Sequence, residues 1–233
     1  MITKYFKFQD CEIAYRDIGT GQAVVLLHGF GEDSHIFDLQ IEFLKDHCRL
    51  IVPDLPGSGL SSVDVQLSSS IDLMADCIAS LIHSLTDLPV ILLGHSMGGY
   101  ITLAFAEKYS NQLKAFGLLH STAFADSEEK KTTRRKSIDF IREKGAFPFL
   151  QTAIPGLFAE TYQKYFSDKI NMLIESGKQF RKETLISYYE AMIARPDRTS
   201  ILSESPLPVL FILGTEDKAA PMADVLSQVK LPN

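Results

Sequence analysis

Cysteine is scarce in this chain: three residues in 233, Cys11, Cys48 and Cys77, an odd number with no paired or metal-like spacing. That excludes a disulfide framework and points to reduced thiols in a cytoplasmic protein. Long apolar runs are missing too. The longest, such as 23–27 and 90–93, are strand-sized, against the roughly 20 residues of a membrane helix. No membrane span is expected. The opening residues, Met1 to Lys7, hold no apolar stretch or small-residue cleavage site, so no signal peptide is expected. Positive charge is not in excess: the formal net charge is −6, which argues against a dedicated nucleic-acid binder. Ten prolines and fourteen glycines are too few for a collagen-like or low-complexity chain. What is present is 45% hydrophobic residues, enough for a substantial core in one domain carrying a large insertion.

Up to about residue 120, short β-rich runs alternate with helical patterns. Runs at 5–8, 12–17, 23–27, 49–52, 89–93 and 115–119 read as strands. Residues 71–85 carry apolar side chains at 71, 74, 75, 78, 81, 82 and 85, the spacing of one helix face. Residues 97–109 read as a second helix. Continuous apolar strands separated by amphipathic helices predict βαβ units and a mostly parallel sheet covered on both faces. From 125 to 202 the β signal disappears. This segment holds 14 basic and 11 acidic residues, against 9 and 18 elsewhere, and ten of the 23 aromatics. Asp126-Ser127-Glu128-Glu129 reads as the start of a helix running to Lys144 and stopping at Gly145. Further helices are expected at 159–166, 169–176 and 182–194. The sheet pattern resumes at 208–213, and 220–230 reads as a last helix.

The sharpest local signal is Gly94-His95-Ser96-Met97-Gly98, a G-x-S-x-G directly after a strand and directly before a helix. So tight a turn strains the serine, and side chains two residues to either side would collide. The turn lifts the hydroxyl above the sheet and leaves the Met97 N–H at a helix N-terminus, suited to an oxyanion. His28-Gly29-Phe30-Gly31 closes the third strand at the same sheet edge. Its backbone can approach a substrate closely and supply a second N–H from Phe30, with His28 orienting the loop. Asp217 stands just past a strand's C-terminal end, where it can hold a histidine in the right tautomer. Glu216 and Asp126 are the alternative acids. The basic cluster Lys130, Lys131, Arg134, Arg135 and Lys136 reads as a solvated helix face. The aromatics of 125–202 admit two readings, a substrate pocket or the insertion's own core.

The chain resembles the α/β-hydrolase family, in its capped esterase-like branch. The landmarks follow the family's order: His28-Gly29-Phe30-Gly31, Asp54-Leu55-Pro56-Gly57-Ser58-Gly59-Leu60-Ser61, Gly94 to Gly99, Ala194-Arg195-Pro196-Asp197-Arg198-Thr199, and Gly214-Thr215-Glu216-Asp217. The resemblance implies a twisted, mostly parallel eight-stranded sheet with helices on both faces. A helical cap, 125–202, follows the sixth strand, and 1–124 with 203–233 form a discontinuous core. It implies Ser96 as nucleophile, Asp217 as acid, and Phe30 and Met97 as oxyanion donors.

No histidine follows Asp217; the six are His28, His35, His47, His83, His95 and His120. The family places its base on a loop after one further strand, so that strand, the histidine and a final helix are expected beyond residue 233. The 233 residues alone are expected to be inactive, with 208–213 left as an exposed apolar edge. His120 is the best internal stand-in, yet the family order makes it a packed or rim histidine. The expected function is hydrolysis of small carboxylic esters or related acyl substrates through an acyl-enzyme, with a small-molecule substrate bearing an apolar acyl or aryl group. No cofactor or metal is called for, since neither ligand spacing nor a phosphate-binding loop is found. The alternatives are a non-catalytic small-ligand binder of the same fold, and other serine branches such as carbon–carbon bond hydrolases, lyases or cofactor-free haloperoxidases.

Overall fold

The structure, a computed structural model, describes residues 2–232; Met1 and Asn233, the outer ends of the expected core segments, lie outside the described residues. Seven strands form one sheet: β1 (Lys4–Phe8), β2 (Cys11–Ile18), β3 (Ala23–Leu27), β4 (Arg49–Pro53), β5 (Val90–His95), β6 (Leu113–Leu119) and β7 (Val209–Ile212). Their order is β1-β2-β4-β3-β5-β6-β7. β1 and β2 pair antiparallel, as do β2 and β4, and every pair from β4 to β7 is parallel. Helices α1 (Asp38–Leu44), α2 (Val65–Ser68), α3 (Ile71–Leu85) and α4 (Met97–Tyr109) join the strands of the first half. Six more lie between β6 and β7: α5 (Glu128–Lys144), α6 (Ala146–Ala153), α7 (Glu160–Tyr165), α8 (Ser167–Ser176), α9 (Lys182–Ala194) and α10 (Thr199–Glu204). Helix α11 (Met222–Val229) follows β7.

The two-residue period of the strands splits the core into two layers. Val25 and Leu27 of β3, Ile51 of β4 and Leu92 of β5 pack with α3 and α4. Val24 and Leu26, with Leu50 and Val52, pack on the opposite face against Phe37 and Ile41 of the α1 region. Both sheet faces are therefore covered, as the continuous apolar strands require. Helix α3 starts at Ser70, whose side chain accepts the Leu73 N–H, and buries Ile71, Met74, Ala75, Ile78, Leu81 and Ile82.

The described residues supply the seven strands read in the sequence, and residues 213–232 hold a turn and α11 but no further strand. Strand β7 is accordingly an edge, with Leu210 and Ile212 exposed. The cap of α5 is Ser127, which accepts the Lys130 N–H; Asp126 is drawn away by Arg134 and Arg195. One expectation needs correcting: the basic cluster is not wholly solvated. Arg134 turns inward to Asp126 at 2.5 Å, with its guanidinium 5.4 Å from the Tyr189 ring centroid. Among the described residues no helix is long and apolar enough to cross a membrane.

Candidate active site

Between β5 and α4, Ser96 takes φ +50° and ψ −114°, a left-handed conformation that costs about 1–3 kcal/mol and persists only when its surroundings enforce it. They do. The Ser96 N–H donates to Leu119 O at 2.9 Å, and its carbonyl accepts from the Gly99 N–H at 2.9 Å and Ser121 Oγ at 2.8 Å. The backbone is thus pinned to the end of β6, while the hydroxyl has no hydrogen-bond partner among the described residues. The N–H groups of Met97 and Phe30 likewise donate to no acceptor among them.

Glycine is a packing requirement here. A Cβ at Gly94 would overlap the Gly98 backbone, and one at Gly98 would overlap the carbonyl oxygens of Leu27 and His28. Gly98 is therefore what lets α4 start against the end of β3. Gly98→Ala is expected to destabilise the protein by about 2–3 kcal/mol, since backbone cannot yield as a side-chain tip can. A shift in the denaturant midpoint measures it; an unchanged midpoint would show that the contact relaxes freely.

His28 is fully buried. Its Nε2 accepts the Leu55 N–H at 2.9 Å, so the ring proton sits on Nδ1, which donates to Gly29 O at 2.9 Å. Both nitrogens are consumed in holding the loop, in keeping with an orienting role. Beside it lies a pair that sequence reasoning missed. Glu32, 8% exposed, accepts the Gly29 N–H at 2.8 Å and His95 Nδ1–H at 2.9 Å, both on Oε2. Burial works against ionising Glu32, but His95 and the Gly29 N–H outweigh it and hold the carboxyl below the usual carboxylate range. For His95 burial again opposes charge, and Glu32 with Asp217 outweighs it, raising the imidazolium above its ordinary range. The only signal in the sequence was a carboxylate three residues past Gly29, and it named no partner.

Asp217 sits in the turn after β7 with its side chain 12% exposed. Oδ1 accepts the N–H groups of Ala219 and Ala220, each at 2.9 Å, and Oδ2 accepts His120 Nδ1–H at 3.0 Å. Burial raises this carboxyl, and those three donors more than reverse it, leaving it ionised at neutral pH. Glu216 is exposed, and Asp126 is committed to two arginines. His120, also at φ +50°, places its half-exposed ring 6.0 Å from that of His95. Its Nδ1 is held, and its Nε2 has no hydrogen-bond partner among the described residues, the arrangement of an oriented imidazole. Among the described residues no cluster of His, Cys, Asp and Glu is placed to hold a metal ion.

The insertion between β6 and β7 is fastened at its base. Arg195 pairs with Asp126 at 2.9 Å and lies 3.7 Å from the Tyr100 ring centroid. Arg198 bridges Asp72 of α3 and Glu107 of α4 at 2.6 and 2.8 Å. Above the His28 loop, Phe30 stacks on Tyr189 at 4.3 Å and meets Phe149 and Tyr188 edge-on. Tyr188, fully buried, shares hydrogen bonds with Ser58 Oγ and Pro56 O. Several insertion aromatics are thus committed to packing against the core loops.

A mostly parallel sheet covered on both faces, with a strained serine and an imidazole–carboxylate pair at the strands' C-terminal ends, defines an α/β enzyme fold of the hydrolase type. The chain belongs to the alpha/beta hydrolase family, whose model matches residues 24–231. A solved thermophilic esterase from Thermogutta terrifontis is 30% identical and superposes with a TM-score of 0.92, covering 100% of this chain and 87% of that one. The (E)-2-((N-methylformamido)methylene)succinate hydrolase of Acinetobacter baylyi is 34% identical over 124 residues, which are 52% of this chain and 46% of that protein. The chain therefore spans about half the length of that relative. The 3-oxoadipate enol-lactonase 2 of the same organism is 27% identical over 93% of this chain and 80% of its own.

Proposed function

We propose that the protein is a serine hydrolase of small carboxylic esters or related acyl compounds, working through an acyl-enzyme. The observation that carries this is Ser96, strained at φ +50°, whose hydroxyl and the neighbouring Met97 N–H have no hydrogen-bond partner among the described residues. Ser96 Oγ attacks the acyl carbon, and its proton passes to an imidazole oriented by ionised Asp217. The N–H groups of Met97 and Phe30 take the charge that develops on the carbonyl oxygen. The alcohol leaves with that proton, and water then releases the acid by the reverse sequence. Within residues 1–233, the imidazole that Asp217 holds is that of His120.

In this reading residues 125–202 are the cap, and 1–124 with 203–233 are the catalytic core. The aromatic ceiling of Phe30, Phe149 and Tyr189 suits an apolar acyl or aryl group. The esterase and enol-lactonase relatives support ester chemistry by their names. The test is covalent. A fluorophosphonate is expected to leave one phosphonyl adduct, mapped to Ser96 by peptide mass spectrometry. Labelling elsewhere, or none, would favour a binding protein of the same fold. A panel of esters, lactones and carbon–carbon cleavage substrates then distinguishes the serine branches.

A further inference from the structure

The Glu32–His95 pair has no part in the proton transfers above, yet it sits where the two halves of the site meet. One carboxylate oxygen, Glu32 Oε2, takes a donor from each half: the Gly29 N–H of the loop after β3 and the ring N–H of His95, the residue before Ser96. A Cβ at Gly29 would stand 3.0 Å from Glu32 Oε2, 3.1 Å from Ser96 Cβ and 3.2 Å from His95 Nδ1. Gly29 is thus the seam itself.

Both polar groups of Gly29 are then held, its N–H by Glu32 and its carbonyl by His28 Nδ1–H. The next peptide is planar, so fixing the Gly29 carbonyl also fixes the direction of the Phe30 N–H. His28 in turn is anchored to Leu55. Without Glu32 the loop would keep its anchor at Leu55 and its ring contacts with the insertion but lose its hydrogen-bonded tie to the serine turn. A buried carboxylate also carries a desolvation cost that an apolar residue would avoid, so a packing role alone does not account for it.

We propose that Glu32 and His95 are positioning residues that lock the Phe30 N–H onto the serine turn, setting the geometry of the oxyanion site. This rests on Ser96 and Phe30 having the roles proposed above. His95 is faced by Glu32 from the loop, by His120 from the end of β6 and by Asp217 from the turn after β7. Glu32 is faced by His28 and His95.

Kinetics of Glu32→Ala, Glu32→Gln, His95→Ala and the double alanine variant of the full gene product test it, on p-nitrophenyl acetate. Misplacing a catalytic group by about 1 Å costs on the order of 100-fold, so Glu32→Ala is expected to lower kcat about 10- to 100-fold while KM stays within about twofold. Glu32→Gln, which can still accept the Gly29 N–H, should recover part of that loss. The double variant should lose no more than the worse single, because the two act as one unit. An unchanged kcat per folded molecule, or losses that multiply, would overturn the proposal. A ¹H–¹⁵N NMR titration provides a readout independent of turnover. The Gly29 amide should titrate with His95 in the native protein and not in Glu32→Ala; independent titration would also overturn the proposal. Absent labelling of Ser96 with a normal Gly29–His95 titration would instead count against the nucleophile assignment and leave the lock standing.

Discussion

In the full gene product Ser96→Ala is expected to lower ester turnover about 10⁴-fold or more, the scale found when an activated serine is removed, while leaving the fold intact. The second half follows from the structure. Among the described residues the Ser96 hydroxyl makes no hydrogen bond, and the hydrogen bonds that pin the residue run through its backbone. Alanine keeps all of those, so the stability change should stay within about 0.5 kcal/mol. The prediction is read from kcat/KM on p-nitrophenyl acetate beside a denaturation midpoint. Turnover surviving in the alanine variant would remove Ser96 from the mechanism. Loss of turnover together with loss of fold would mean that the hydroxyl is structural. His120→Ala belongs in the same assay, since it shows whether the imidazole on Asp217 carries the proton. Retained turnover would place that role on another histidine.

The largest stability effect is expected at Asp126→Ala, at about 3–5 kcal/mol. Asp126 has a 1% exposed side chain and faces Arg195, itself 3% exposed, and Arg134. Removing the carboxylate would leave a buried guanidinium without its counter-charge, which costs far more than losing a surface pair. The pH dependence follows from the same contacts. Burial raises the Asp126 carboxyl, but the two arginines outweigh it and bring it below its ordinary value. A carboxyl lowered on folding stabilises above its unfolded value, near pH 3.9, and that contribution is lost as pH falls through the folded value. The gap between the native protein and Asp126→Ala should thus be full at pH 7 and narrow below about pH 4. Urea midpoints at several pH values measure it. A gap that stayed constant into acid would show that the loss at Asp126 is steric and not electrostatic.

What could be read in the sequence was set by length and period. The spans 71–85, 97–109 and 182–194 match α3, α4 and α9 to the residue, because each carries several turns of signal and an abrupt end. The strands match within a residue or two at each end. Helices α1, α2, α6 and α10 were not foreseen, having four to eight residues each, too few for one face to repeat. The glycine pattern around Ser96 announced its turn, because such crowding leaves no other residue type. Pairings across the chain were invisible: Glu32 and His95 are 63 residues apart, and His120 and Asp217 are 97 apart. Periodicity describes a residue's neighbours on its own element, and these contacts depend on how elements are stacked. Arg134 shows the same limit, since its charge reads as surface until Asp126 is placed beneath it.

The pairing of Asp126 with Arg195 brings together the two ends of the stretch that carries α5 to α9. Closing a loop costs only slowly more as it lengthens, and here the join is the same whatever lies between. To the sheet, α5 to α9 are a detour that leaves and returns through a single gate. The outer helices α7 and α8, which carry none of the aromatic contacts to Phe30, are the part of that detour free to change length while the register of β6 and β7 stays put. A lineage that needs to accept a new molecule can therefore rewrite the roof without disturbing the floor.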